Sequence, residues 1–522
     1  MFSQINSATL NGLKALAIKV EVNANFVGNN VSGETLFMMV GLPDNAVRES
    51  RQRVQSAVAN SSLRLPRMNI TANFAPADIR KEGSGLDLPL AVALLKCAKL
   101  IKPEDLSKYM FVGELGLDGT VRPVRGALPI AIEARRLGFD SLFVPEDNVR
   151  EASVVNNLKV FGVSTLIQLV DHLNGQIQLE QTISDTRKDF YAAQTEEQPD
   201  FSEVKGQELA KRAFEVAAAG GHNLIMVGSP GCGKSMMAKR LPGILPPLTL
   251  VESLETTQIY SIAGKMGRNS SLIAQRPFRS PHHTISDVAL IGGGTNLQPG
   301  EISLAHNGVL FLDELPEYSR AALETMRQPL EDRQITISRA KYNATLPCSF
   351  MLVAAMNPCP CGYYGDPTHE CHCTPGQIQR YMSKISGPLL DRIDIQLELT
   401  PVPLSELQNA PRGETSAEIR KRVVRAREIQ QQRYKNFPGI HCNAQMTDKM
   451  LQEYAQLDAE SLSMLRVVMQ TRGLSARSYN RILKVARTIA DLAASERIES
   501  SHIAEAIGYR NLDRSDWAER GI

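Results

Sequence analysis

Hydrophobic positions change period several times along the chain, and each change predicts an element. Leu16, Ile18, Val20 and Val22 recur at every second position with Lys19 and Glu21 between them, the pattern of a half-buried strand. Thr35 to Val40 is an apolar run closed by Gly41. Asn45 to Asn60 then switches to helical spacing, with Val47, Val54 and Val58 on one face and charges on the other. The stretch Gly113-Glu114-Leu115-Gly116-Leu117-Asp118-Gly119 leads into Val121-Arg122-Pro123-Val124, a hairpin signal. A helix from Leu128 to Leu137 and a strand from Ser141 to Pro145 follow. Residues 1–174 therefore read as one α/β domain. Gly175 to Asp200 is rich in Gln, Glu, Asp and Thr and poor in periodic apolar residues, so 175–200 reads as a linker between domains that move relative to each other. Beyond it, Asn223–Val227, Val309–Leu312 and Met351–Met356 are short continuous apolar runs, as expected of buried strands. Leu451–Leu465, Asn480–Ala494 and Ser501–Ile507 have helical periodicity. A capping box, Thr415 with Glu418, opens a basic helix carrying Arg420, Lys421, Arg422, Arg425 and Arg427. The partition is thus an α/β core over 201–404 and a helical region over 405–522.

The loop after the Asn223–Val227 run is Gly228-Ser229-Pro230-Gly231-Cys232-Gly233-Lys234-Ser235, which fits G-x-x-x-x-G-K-[ST] in the strand–loop–helix context that pattern requires. Its glycines let consecutive N–H groups face a phosphate chain at a helix N-terminus. Lys234 is placed to reach the β- and γ-phosphates of ATP, and Ser235 to hold Mg²⁺. The Val309–Leu312 run ends in two acids. Asp313 would share the Mg²⁺ with Ser235, and Glu314 would orient and polarise the attacking water.

Composition bounds the rest. The chain has 522 residues, 43% hydrophobic and 22% charged, ordinary for a multidomain globular protein. A net charge of +2 means that any nucleic-acid contact comes from local basic surface rather than a bulk field. No apolar run approaches a membrane span and no basic, then apolar, leader opens the chain, so a cytoplasmic location without membrane contact is expected. Of the eight cysteines, Cys359, Cys361, Cys371 and Cys373 fall together as two C-x-C pairs. In a reducing compartment that clustering points to structural Zn²⁺, with His369 and His372 as alternative ligands. Free or redox-active thiols are the other reading. The cluster sits between Asn357 and Arg392 in sequence and is expected to brace the latter. His282 and His283, read as neighbours on a strand, should point opposite ways. With no cysteine or carboxylate nearby, they suggest a structural or DNA-contact role rather than a metal.

Several of these stretches resemble known families. The Gly113–Val124 segment and Glu82-Gly83-Ser84-Gly85-Leu86-Asp87-Leu88-Pro89-Leu90-Ala91 are similar to the proteolytic domain of Lon and its relative in the RadA recombination protein. Laid on that pattern, the nucleophile position falls on Gly85 and the lysine position on Leu128, with Ser84 one place off, so the resemblance implies a Lon-like fold without proteolysis. Arg48, Arg51 and Arg53 on the predicted helix are either a solvated face or a DNA contact.

From Phe201 onward the chain resembles ATPases of the AAA+ superfamily, in which the Phe201–Gln207 segment packs on adenine. Asn357, at the end of the Met351–Met356 run, matches the sensor-1 position that contacts the γ-phosphate or the water. Ser386-Gly387-Pro388-Leu389-Leu390-Asp391-Arg392 resembles the arginine-finger segment, which implies that Arg392 enters a neighbour's site. Arg477 fits the sensor-2 arginine, with Arg481 the alternative. The insertion Arg276-Pro277-Phe278-Arg279-Ser280-Pro281-His282-His283-Thr284 and the strand Ile335–Tyr342 resemble pore elements of the branch holding Mg-chelatase and MCM helicases. Arg339 and Lys341 at the hairpin tip would there grip a phosphate backbone or stand as a solvated turn. The order of domains is similar to the ComM/YifB family. That resemblance implies a homo-oligomeric, hexameric ATPase that acts on single-stranded or branched DNA as a branch-migration helicase in recombination and natural transformation. The alternative is a Mg-chelatase-like chaperone or remodelling ATPase that does not act on DNA.

Overall fold

The structure is a computed structural model. It describes residues 1–27, 36–81, 83–195, 198–267, 270–294, 298–339, 342–403, 412–510 and 512, and of residues 338, 339, 342 and 343 the backbone alone. Two sheets dominate it. The first has seven strands: β1 (Phe2–Asn11), β2 (Lys14–Phe26), β3 (Phe37–Val40), β4 (Met68–Ala75), β5 (Tyr109–Phe111), β6 (Ser141–Pro145) and β7 (Lys159–Val163), in the order β3-β4-β2-β1-β5-β6-β7. Pairs β1–β2 and β2–β4 are antiparallel and the others parallel. Ile18, Val20 and Val22 are buried as the alternation predicts. Helix α1 (Asn45–Asn60) starts where Asp44 accepts the Val47 N–H at 2.8 Å. Helix α2 (Asp87–Cys97) is apolar on all sides and is buried almost throughout, between α1 and the sheet. Helix α3 (Ala127–Arg136) covers the other part of the sheet.

Of the three arginines on α1, Arg53 turns inward. Its Nε is 2.6 Å from Asp87 Oδ2, and Asp87 is buried. Arg51 lies over the Phe37 ring at 5.6 Å. A carboxylate at the head of a buried helix needs such a partner, so Arg53 belongs to the domain's interior.

The segment 175–200 is not a bare tether. Leu179 is buried in the first domain's core, and residues Thr186–Ala193 form helix α4, capped by Asp185, with Phe190 buried. Phe190 packs in a cluster that takes Ala127, Ile130 and Ala131 from the first domain and Leu248, Leu272 and Ala274 from the second. Two isolated apolar anchors were enough to fix a stretch whose polar composition reads as free.

The second sheet is wholly parallel. Its strands are β8 (Leu224–Gly228), β9 (Phe278–Arg279), β10 (Val309–Leu312), β11 (Met351–Met356) and β12 (Ile395–Leu399), in the order β9-β10-β11-β8-β12. Strands β8, β10 and β11 are buried along their length, as parallel strands with both faces covered must be. Helices α5 (Glu208–Gly220), α6 (Lys234–Ile244) and α7 (Leu250–Ile262) flank the sheet. Helices α8 (Ser416–Tyr434), α9 (Ala459–Arg472), α10 (Ala476–Leu492) and α11 (Ser500–Gly508) form the C-terminal layer. Most of the basic helix α8 charge is used internally: Arg420 donates to Gly243 O at 2.7 Å, Arg422 pairs with Glu215 and Glu414, and Arg427 donates to Ala218 O at 3.0 Å.

The two domains meet along α3 and α7. Gly126 N–H donates to Ser261 O at 3.1 Å, and the buried Glu151 carboxyl accepts from the Leu128 N–H at 2.9 Å and from the Ser261 hydroxyl. Burial pushes the Glu151 carboxyl up. Leu128 is itself buried in this seam. Among the described residues no helix is long and apolar enough to cross a membrane.

Candidate functional site

Strand β8 delivers its chain to the sheet's carboxyl end, where the loop Gly228 to Ser235 turns into α6. Gly231 and Gly233 have φ of +82° and +92°, which side-chain-bearing residues rarely adopt, and these turns bring N–H groups round toward one point. Lys234 heads α6 and is 9% exposed; its Nζ donates to Gly228 O at 2.6 Å, Ser229 O at 3.0 Å and Asn357 Oδ1 at 3.1 Å. The Ser235 hydroxyl donates to Asp313 Oδ2 at 2.6 Å. A hydroxyl and a carboxylate from two neighbouring elements thus converge on one spot, an oxygen donor set that suits Mg²⁺. The structure brings Lys234, Ser235, Asp313 and Asn357 together, as the sequence predicts, because β8, β11 and β10 lie side by side and end at the same level.

Glu314 takes a left-handed conformation, φ +51°, immediately after β10, and its side chain is 56% exposed. It has a partner that the sequence reading missed: His283 Nδ1 is 3.0 Å from Glu314 Oε2. His282 and His283 are not on a strand. They follow β9 in a turn with ring centroids 4.1 Å apart, and His282 Nδ1 faces Thr284 Oγ1 at 2.9 Å. The expectation that no carboxylate lies near them is therefore corrected. Parallel pairing of β9 with β10 carries His283 to the acid at the end of β10. The flanking arginines are structural: Arg276 is half-buried and donates to Asn307 O at 2.7 Å and to Pro246 O at 2.5 Å, and Arg279 forms a bidentate pair with Glu301 at 2.6 and 2.7 Å. Lys341 lies outside the described residues, as does the side chain of Arg339.

Arg392 and Arg477 are elsewhere. Strands β8 and β12 run parallel with Leu224 beside Ile395 and Gly228 beside Leu399. Arg392 precedes β12, so it sits at the amino end of the sheet, where its carbonyl accepts from Asn223 Nδ2 at 3.0 Å. Lys234 is at the other end, about 13 Å away along strands that rise about 3.3 Å per residue. The Arg392 side chain is buried, donating to Pro388 O and pairing with Glu331, both at 2.6 Å. Arg477, 64% exposed, is 3.6 Å from Asp391 and so shares the Arg392 edge. Arg481, the alternative sensor-2 residue, pairs with the buried Asp394 at 2.9 Å. Burial alone would raise the Asp394 carboxyl, but Arg481, with His222 at 3.3 Å, holds it well below the usual carboxylate range. The two arginines are thereby separated. Arg481→Ala is expected to destabilise the protein by about 3 kcal/mol, the usual cost of stripping a buried carboxylate. Arg477→Ala should stay within about 0.5 kcal/mol. Thermal unfolding of the two variants checks this, and equal losses would return both to the same rank.

The four cysteines Cys359, Cys361, Cys371 and Cys373 come together at the carboxyl end of β11, with all four sulfurs within 4.8 Å of one another. His369 instead stacks on Tyr363 at 4.8 Å. The cluster lies against the phosphate loop and not against Arg392, because it follows the end of β11 that faces Gly228, whereas Arg392 is at the opposite end of β12. In the first domain Leu128 is buried, and the Ser84 hydroxyl, next to Gly85, donates to the Glu114 carboxylate.

A parallel sheet ordered β9-β10-β11-β8-β12, a phosphate loop after β8 and paired acids two strands away at the end of β10 define a P-loop ATPase core of the AAA+ class. The profile described as "Magnesium chelatase, subunit ChlI" matches residues 200–407. Profiles for "Subunit ChlI of Mg-chelatase" and "Magnesium chelatase, subunit ChlI C-terminal" match 27–148 and 413–510. The chain is 42% identical over 507 residues to the "Competence protein ComM" of Haemophilus influenzae and 43% identical over 508 residues to the "Uncharacterized protein YifB" of Salmonella typhimurium, with 96% of each chain covered in both comparisons. It is 26% identical to the "Magnesium-chelatase 67 kDa subunit" of Chlorobaculum parvum over 39% of this chain and 27% of the relative. The chain belongs to the ComM/YifB family of Mg-chelatase-like AAA+ proteins.

Proposed function

We propose that the chain is the subunit of a hexameric ring that hydrolyses ATP with Mg²⁺ to drive branch migration on single-stranded or branched DNA, aiding recombination of incoming DNA. One observation carries the ring: Arg392 and Arg477 lie at the sheet end away from Lys234 and Asp313 of the same subunit. Each can serve a γ-phosphate only across a subunit boundary. Bound ATP supplies the transferable phosphoryl group, and bound Mg²⁺ neutralises its charge. Lys234 holds the β- and γ-phosphates, Ser235 and Asp313 hold the metal, and Glu314 orients the water. Asn357 fixes the γ-phosphate side, and the neighbour's arginines stabilise developing negative charge. The competence name of a relative aligned along almost the whole chain supports DNA as the substrate. The first domain serves assembly or DNA contact rather than proteolysis, since Gly85 and Leu128 leave no paired nucleophile and base. The four cysteines hold structural Zn²⁺.

The profile descriptions favour one other reading, a remodelling ATPase of the chelatase type that does not touch DNA. ATP turnover measured with and without a four-way junction separates the two. The DNA motor should be stimulated roughly 10-fold and bind with an affinity that falls steeply with salt. Turnover indifferent to DNA, with no salt-sensitive binding, would leave the remodelling role.

A further inference from the structure

We propose that the zinc-filled cysteine cluster is a brace for the phosphate loop, so that metal occupancy sets the affinity for ATP. This rests on the zinc assignment just made and adds what the metal controls. The sulfurs of Cys359 and Cys361 are 3.3 Å apart, Cys361 and Cys371 3.5 Å, and Cys359 and Cys371 3.7 Å. These separations exceed the roughly 2.05 Å of a disulfide. They approach the edge of about 3.8 Å of a tetrahedron built on Zn–S bonds of about 2.3 Å. The Tyr364 N–H donates to Cys359 Sγ at 3.4 Å. The loop carrying these ligands has little apolar burial of its own: from Asp366 to Gln377 most residues are exposed or half-buried. The metal is then its main internal tie.

Three contacts run from this loop to the nucleotide site. Gly362 follows the second ligand with φ +89°, and a Cβ there would stand 2.9 Å from Pro230 Cδ and Cγ and 3.9 Å from Asn357 Cγ. The cysteine turn is therefore seated directly on the apex of the phosphate loop. The Asp366 carboxylate is held well below the usual carboxylate range, first by the Ser229 hydroxyl and then by Thr368. Tyr364 and Gly365 wall one side of a cavity of about 220 Å³ whose other side is Gly228 and Ser229. Cys359 also follows Asn357 by two residues, and Asn357 accepts from Lys234 at 3.1 Å. Both the loop carbonyls and the lysine that grips phosphate are thus referenced to the same four sulfurs. With the metal bound, Gly362 and Asp366 hold Pro230 and Ser229 in the curled form; with it removed, the four sulfurs lose their common tie and that support is lost.

The test uses the full-length protein purified without a metal-affinity step. Metal analysis should find about one zinc per chain. Stripping with a mercurial reagent and chelator, then restoring reducing conditions, should weaken binding of a fluorescent ATP analogue by roughly 10-fold or more, a loss typical of removing metal-site support. Adding back Zn²⁺ should recover it. Asp366→Asn should keep its zinc yet weaken the analogue several-fold, while Lys234→Ala should lose the analogue with zinc unchanged. Failure to bind zinc under any loading overturns the metal. Full ATP affinity in zinc-free protein overturns the brace while leaving the zinc assignment and the ATPase reading intact.

Discussion

Lys234→Ala and Arg392→Ala are each expected to be inactive, yet a mixture of the two should hydrolyse ATP. On the proposed mechanism each loss removes a charge that would meet the transferring phosphoryl group, and an arginine finger alone is worth about 10³-fold or more. Lys234→Ala keeps an intact finger, and Arg392→Ala keeps an intact phosphate loop. If the finger acts across the boundary, random one-to-one mixing restores about a quarter of the interfaces, in which a good loop faces a good finger. The geometry makes this demanding. Within one subunit the two residues occupy opposite ends of β8 and β12, so no rotamer change brings them together. Arg392 must leave Glu331 to act, and Glu331 is half exposed, so that pair opens at small cost. A mixture that stays dead while subunits exchange would mean that Arg392 has only its structural bonds.

The second large effect belongs to Glu314. Glu314→Gln should lower turnover by about 10²- to 10⁴-fold, the range for loss of a general base, with ATP affinity held within about 2-fold. Turnover and analogue binding measured together distinguish this from damage to the phosphate loop, which lowers both. His283 provides a contrast of opposite sign. It sits 3.0 Å from the Glu314 carboxylate and draws it toward the turn after β9. Freed of that contact in His283→Ala, Glu314 should support ATP turnover about 2- to 5-fold faster, the scale of one half-exposed hydrogen bond. A slower enzyme would show instead that His283 holds the carboxylate in its working position.

The phosphate loop and the acids at 313 and 314 were legible because their chemistry is local. A glycine-rich turn between a strand and a helix, or two carboxylates closing an apolar run, carries its meaning within a few residues. The cysteine cluster was legible for the same reason. What could not be read depended on which strands become neighbours. His283 and Glu314 are far apart in the chain and meet only because β9 and β10 pair in parallel. That the cysteines lean on Pro230 follows from the parallel pairing of β11 with β8, and that Arg392 stands at the far end from Lys234 follows from the parallel pairing of β12 with β8. Phe190 was hidden differently: charged Arg187, Lys188 and Asp189 precede it, and most of its burial comes from surfaces supplied by other elements. The Arg53–Asp87 pair likewise looks like surface charge until α2 is seen to be wrapped on every side.

The seam between α3 and α7 has a mechanical meaning. Its hydrogen bonds at Gly126, Leu128, Glu151 and Ser261 and its shared apolar cluster with Phe190 tie the first domain to the nucleotide-binding domain. A tilt of α7 during the ATP cycle is therefore transmitted to the seven-stranded sheet as a rotation of the whole domain. In the proposed ring the first domain would be an outrigger of the motor, and a dye pair placed across neighbouring first domains would read the stroke of each subunit in turn.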